Sequence, residues 1–127
     1  MSRLAILLGA GNAALAIILG AFAAHGLRNT LSEKMLAVFQ TAVDYHLYHA
    51  LGLIIVSLLL LHRSTSRLLK ISAFLMLLGI IIFCGSLYGL SLTGAAWLGM
   101  ITPIGGISFI TAWLLIVICY LSGPPQA

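Results

Sequence analysis

ISAFLMLLGIIIFCGSLYGLSL, residues Ile71 to Leu92, is a run of 22 residues without a charge. A helix needs about 20 predominantly apolar residues to cross the hydrocarbon core of a bilayer, so this run is long enough to span one. It does not alternate apolar with polar residues, as a strand of a membrane barrel would. Working outward, Leu98–Leu121 is a second such run, with a shorter alternative that begins at Pro103. Upstream lie Val43–Leu61 and Leu4–Ala24, the latter with Asn12 as its most polar member. The sequence therefore predicts one all-α transmembrane domain over residues 1–127, with spans near 4–24, 43–61, 71–92 and 98–121.

Composition agrees. Hydrophobic residues make up 62% of the 127 and charged residues only 6%, against about 25% charged in soluble domains. Neither a water-soluble globule nor a disordered chain has this balance. The net charge of +4 is spread over Arg3, Arg28, Lys34, Arg63, Arg67 and Lys70, all beside apolar runs. They form no aromatic-interleaved basic face, so nucleic acid is not expected as a partner. Cys84 and Cys119 sit within apolar runs and indicate no disulfide framework. Arg3 followed by an apolar run and Ala21-Phe22-Ala23 imitates a signal peptide. The run is longer than the usual 7–15-residue apolar region of such a peptide, so it is read as a retained helix.

With four spans, the N-terminus, the second loop and the C-terminus share a side, which carries Arg3, Arg63, Arg67 and Lys70 against Arg28 and Lys34 opposite. The positive-inside rule then puts both termini in the cytoplasm of a bacterial inner membrane, with inverted or dual insertion as the alternative. In the first outer loop, Thr30-Leu31-Ser32-Glu33 has the pattern of a capping box, Thr30 as N-cap and Glu33 as its reciprocal acceptor. A helix from Leu31 to Leu61 would be ~46 Å long, so its first dozen residues must tilt, kink or lie at the interface as an amphipathic segment. Glu33, Ala37, Gln40, Thr41, Asp44 and Tyr48 recur on one face of it. Thr102-Pro103 is a candidate N-cap and first helical position, which would leave Thr93–Ile101 as an outer segment anchored by Trp97. The residues 123–127 are expected to form a short disordered end.

On this topology the polar residues gather toward the outer side: His25, then Asp44, Tyr45, His46, Tyr48 and His49, then Cys84, Ser86 and Tyr88, then Thr102. Asp44 is either a proton- or ligand-coupling group or an interfacial acid hydrogen-bonded to Gln40, Tyr48 or His25. His46 and His49, three residues apart, line one groove. With His25 they supply ligand types for a metal or haem, but the matched depths and further ligands such sites need are not evident. No metal and no cofactor are expected. Ala16-x-x-x-Gly20-x-x-x-Ala24, Gly85-x-x-x-Gly89, Gly105-Gly106 and Ala112 are candidate helix contacts, within the chain or in a homodimer. No phosphate loop, nucleophile elbow, zinc-protease helix or catalytic carboxylate pair occurs, which disfavours an enzyme.

Gly20-Ala21-Phe22-Ala23-Ala24-His25-Gly26, Tyr45 and His49, Gly85-Ser86-Leu87-Tyr88, and Thr102-Pro103-Ile104-Gly105-Gly106 with Trp113 resemble the YgdD/YwdK-type family of uncharacterised bacterial inner-membrane proteins, which has mitochondrial relatives. The resemblance runs through nearly the whole chain. It implies four helices with termini inside and brings no established activity. Its motif residues fall on His25, Tyr45, His49, Ser86, Tyr88, Thr102 and Pro103. His46 stands where such proteins often carry glutamine and Cys84 where serine is common, which counts against a metal site built on either.

The resulting expectation is a binding protein with an outward-facing polar cluster of His25, Asp44, Tyr45, His49, Ser86, Tyr88 and Thr102. Its ligand would be a lipid, a quinone head group, a small molecule or a membrane partner. The alternatives are a proton-coupled transporter using Asp44 and a structural or assembly subunit. Membrane lipids are the expected partners, with a homodimer or a larger membrane-protein complex besides.

Overall fold

In the computed structural model, which describes residues 1–123, four long helices follow one another: α1 Ser2–His25, α2 Glu33–His62, α3 Arg67–Thr93 and α4 Leu98–Leu121. All four are long and apolar enough to cross a membrane, so the protein is an all-helical membrane protein. Each packs on its neighbour in sequence, α1 on α2, α2 on α3, α3 on α4. α2 is the most enclosed, and α1 buries only Ala5, Gly9, Ala16 and Ala23.

Small residues set the approach of each pair. Gly9 lies against the Ala50 carbonyl and Ile54, and Gly20 against Val43, so α1 can sit close on α2. Between α3 and α4, a Cβ on Gly105 would collide with the Phe83 backbone, and one on Gly79 with the Phe109 ring. Serines lace the same pair: Ser72 donates to the Ala112 carbonyl and Ser108 to the Leu75 carbonyl, each at 2.8 Å. The expected contact role of Gly85 is not seen, because it is exposed with open space around its Cβ position, whereas Gly89 packs on Leu98. Ala24, the end of the stripe on α1, is likewise exposed, and Ala23 takes the buried place.

α3 is interrupted by one π-helical segment, Ile80–Cys84, where the widened turn changes the phase between the two halves of the helix. The close approach at Gly105 falls on this segment, through Phe83.

Two boundaries differ from expectation, and at a third the longer of two readings holds. The N-cap of α2 is Ser32, whose Oγ accepts from the Met35 N–H at 3.2 Å. Thr30 instead turns its hydroxyl back to the Leu27 carbonyl at 3.3 Å. The cap moves because Leu27 and Leu31 pack with Leu36 around Phe39, which places Leu31 and Leu36 at the two positions of a hydrophobic staple about Ser32. The mixed segment before Val43 is part of α2 itself, an unbroken helix of 30 residues or ~45 Å against a hydrocarbon core of ~30 Å. Its first turns therefore reach the head-group layer. Finally, α4 starts at Leu98 with Pro103 inside it, and only Gly94–Trp97 separate it from α3. Thr102 is no cap, since its hydroxyl returns to the Leu98 carbonyl at 3.2 Å. The disordered end expected at 123–127 falls mostly outside the described residues.

At one end of the molecule Ser57 donates to the Ser2 carbonyl, and the Arg63 guanidinium donates to the carbonyls of Cys119 and Gly123 at 2.8 and 2.9 Å. The start of α1, the α2–α3 loop and the end of α4 thus share a side. Arg63 places its charge on the negative end of the α4 dipole.

Candidate functional site

Apart from the serines that bond to backbone carbonyls, the polar side chains between the helices form three separate groups. The first crosses from α1 through α2 to α3. His46, 3% exposed, lies 2.9 Å through Nδ1 from the Tyr88 hydroxyl and 3.0 Å through Nε2 from Asn12 Oδ1. Asn12 Nδ2 donates to the Leu8 carbonyl at 2.8 Å, which fixes Oδ1 as the acceptor side. Asn12 thus places a proton on His46 Nε2, and in the neutral imidazole Nδ1 accepts from the Tyr88 hydroxyl.

The second group joins α2 to α4. His49 Nδ1 is 2.8 Å from the Tyr45 carbonyl, which can only accept, and Trp113 Nε1–H donates to His49 Nε2 at 3.0 Å. His49 is neutral with the opposite tautomer. Its ring stacks on Phe109, centroids 3.4 Å apart, and Tyr45 lies against Phe83 at 4.7 Å. In the third group, the Ser86 hydroxyl donates to Thr102 Oγ1 at 2.6 Å and joins α3 to α4 toward the loop between them, with the Phe83 carbonyl 2.9 Å from the same oxygen.

Of the seven residues expected in one cluster, five fall into these groups: Tyr45, His49, Ser86, Tyr88 and Thr102. His25 is exposed at the end of α1 and stands apart. Asp44 is half-buried and accepts from Gln40 at 2.9 Å on its own helix, one of the interfacial partners expected for it. The cluster is less one-sided than its sequence positions suggest, because Asn12 and His46 sit near the middles of α1 and α2. Among the described residues, no three His, Cys, Asp or Glu side chains gather as a metal site would need. Both histidines spend both ring nitrogens on protein partners.

Sequence reasoning underrated His46 and missed Asn12 as its partner. Asn12 carried a signal, being the most polar residue of its span; nothing local pointed to the pairing across 34 positions.

Beside His49 a cleft of about 370 Å³ opens between α2 and α4, lined by Tyr45, His49, Phe83, Gly106, Phe109, Ile110 and Trp113. Tyr45 and Trp113 are 40% and 38% exposed at its edge, so it is reached from the lipid side of the helices. The histidine and indole nitrogens satisfy each other, which leaves the cleft aromatic and apolar apart from the Tyr45 phenol.

Residues 19–106 match the family described as "Protein of unknown function (DUF423)". The UPF0382 membrane protein YwdK of Bacillus subtilis (strain 168) is 50% identical over 113 residues, covering 89% of this chain and 92% of the relative. A UPF0382 membrane protein of Staphylococcus epidermidis is 46% identical over 116 residues, 91% of this chain and 93% of its own. One from Staphylococcus saprophyticus is 47% identical over 113 residues, 89% and 92% of the two chains. No solved structure matches. A match across more than half of the chain, with relatives of this identity and coverage, places the protein in the DUF423 family of UPF0382 membrane proteins, whose activity is uncharacterised.

Proposed function

We propose that this protein binds a lipid-phase molecule carrying a flat conjugated ring, of the quinone head-group type, in the cleft between α2 and α4. The observation that carries the reading is the cleft wall: Tyr45, Phe83, Phe109 and Trp113 around the buried ring of His49, in a volume of about 370 Å³. That size lies within the ~300–1,000 Å³ of small-molecule sites, which combine apolar walls with few polar groups. Aromatic walls favour stacked or edge-on rings. The Tyr45 phenol is the hydrogen-bond donor left for a ring carbonyl. The π-helical segment supports the same reading, since such segments recur at functional sites and this one carries Phe83.

The test uses the two tryptophans. With Trp97→Phe, Trp113 becomes the single indole, and a short-chain naphthoquinone titrated into nanodiscs quenches its fluorescence along a saturable curve. Gly106→Leu, which fills the cleft, abolishes saturation, and Tyr45→Phe weakens binding several-fold. Linear quenching that neither substitution alters refutes the proposal.

A second reading, a subunit of a larger membrane assembly, draws support from α1, which packs mainly on α2 and buries four residues. A stoichiometric partner that co-purifies and is lost on substitution of the outer face of α1 would establish it. For location we infer a bacterial inner membrane with both termini in the cytoplasm. Arg3, Arg63, Arg67 and Lys70 lie on the end that carries the start of α1 and the close of α4. In a Cys84→Ser/Cys119→Ser background, Thr30→Cys labels from the periplasm and Thr65→Cys does not; the reverse pattern overturns the orientation.

A further inference from the structure

At the opposite end of α1 from Arg63, the wedge between the end of α1 and the start of α2 forms an open recess of about 480 Å³. Its walls include Ala23, Ala24 and Ala37, whose short side chains leave the space between the two helices unfilled. Its polar lining is Arg28, Glu33 and Gln40. The Gln40 amide nitrogen is already committed to Asp44 at 2.9 Å, which leaves its carbonyl oxygen as an acceptor. One cavity therefore offers a guanidinium from the loop, and a carboxylate and an amide carbonyl from α2.

Its depth matters as much as its charges. α2 is ~15 Å longer than the hydrocarbon core, and its N-terminal turns extend past the end of α1 into the head-group layer. The cavity lies at that end of the pair, with Arg28 and Glu33 toward the loop and Ala23, Ala24, Ala37 and Gln40 further along the helices. A ligand that fits has a phosphate for Arg28, a hydrogen-bond-donating cation for Glu33, and acyl chains along Ala23, Ala24 and Ala37.

We propose that this wedge is a binding site for a phospholipid with a zwitterionic, primary-ammonium head group, the phosphoethanolamine class. Arg28 pairs with the phosphate as a planar fork. Glu33 accepts N–H bonds from the ammonium, and Gln40, further along α2, lines the path of the chains. A phosphocholine lipid has the same charges but no N–H, and a phosphoglycerol lipid lacks the cation that Glu33 requires. Selectivity against phosphocholine thus rests on hydrogen bonds, and selectivity against phosphoglycerol on the missing cation. The site is separate from the aromatic cleft and stands or falls independently of it.

The experiment places the full chain in nanodiscs of equal phosphatidylethanolamine, phosphatidylcholine and phosphatidylglycerol, and reads retained lipid by native mass spectrometry after gentle release. Retention of phosphatidylethanolamine about tenfold above phosphatidylcholine is expected, the factor one charge-assisted hydrogen bond supplies. Glu33→Gln brings that ratio to about one. Arg28→Gln lowers retention of every phospholipid, and Phe83→Ala, in the other cleft, changes neither. Equal retention of the three lipids by the unaltered protein overturns the proposal, as does a ratio that survives Glu33→Gln. Free phosphoethanolamine without acyl chains does not compete at millimolar concentration; if it displaces the lipid, the ligand is a soluble head group and the lipid assignment fails.

Discussion

Replacing Tyr88 by phenylalanine removes one hydroxyl and leaves the ring that packs 5.0 Å from Phe39. The loss falls on His46. Its Nδ1 lone pair, 2.9 Å from that hydroxyl, keeps no donor, and no rearrangement repairs it. Moving the proton to Nδ1 sets a bare Nε2 against Asn12 Oδ1. Flipping the Asn12 amide to donate there sets Oδ1 against the Leu8 carbonyl that Nδ2 now serves. An unsatisfied buried polar atom costs ~1–3 kcal/mol. Interhelical hydrogen bonds in membranes average only ~0.6 kcal/mol, because the unfolded helices find other partners. Here the frustration lies in the folded state, so Tyr88→Phe should cost about 1–2 kcal/mol in reversible unfolding by SDS in mixed micelles. His46→Gln should cost less than about 1 kcal/mol, because a carboxamide also offers one donor to Asn12 and one acceptor to Tyr88. In solid-state NMR, His46 should carry its proton on Nε2 and His49 on Nδ1. Tyr88→Phe within about 0.5 kcal/mol of the parent, with the two histidines sharing one tautomer, would refute the network.

Gly105→Ala forces a Cβ onto the Phe83 backbone and should lower stability by ~1–3 kcal/mol, whereas Gly85→Ala, facing open space, should be neutral or slightly stabilising in the same assay. Trp113→Phe withdraws the donor on His49 Nε2 and should destabilise by ~1–2 kcal/mol, with an upfield or downfield change confined to the His49 ring in the NMR spectrum. Arg63→Met uncaps the end of α4, and the expected result is faster proteolysis of the C-terminal segment with a loss of ~1–2 kcal/mol. A cleavage rate equal to the parent's would show that Arg63 does not hold that helix end.

Hydropathy located α1, α3 and α4 to within a few residues, because apolar side chains facing lipid and apolar side chains facing other helices give the same signal. It missed the start of α2, where Glu33, Lys34, Gln40 and Asp44 lower hydropathy in turns that are helical but reach the head-group layer. The cap at Ser32 was hidden for a different reason. Thr30-x-x-Glu33 matches the motif, but Leu27 and Leu31 must reach Phe39, and that tertiary requirement moves the cap two residues. His49 was legible as part of the polar cluster; its partner Trp113 was visible only as a family motif. His46 was discounted because it departs from a frequent glutamine, yet glutamine and a neutral imidazole are hydrogen-bond equivalents between Asn12 and Tyr88. What the sequence did not carry was the phase change at Ile80–Cys84, which no composition rule announces and which sets where Phe83 and Tyr88 fall on α3.

The two histidines divide the work of α2 between its faces. His46 ties it to α1 and α3, His49 ties it to α4, and each uses both ring nitrogens. A rocking motion that carried α1 or α4 away from α2, as alternating access requires, would strand buried nitrogens and their partners in hydrocarbon at ~1–3 kcal/mol each. The carboxylate that a transporter would use, Asp44, bonds to Gln40 on its own helix and is not joined to either tie. These ties oppose such a motion, and the openings lie at the edges: an aromatic cleft reached from the lipid side and a charged wedge between α1 and α2. A fixed core with two peripheral recesses suits the holding of lipid-phase molecules, because first contacts carried on rigid helices keep their geometry without help from a moving lid.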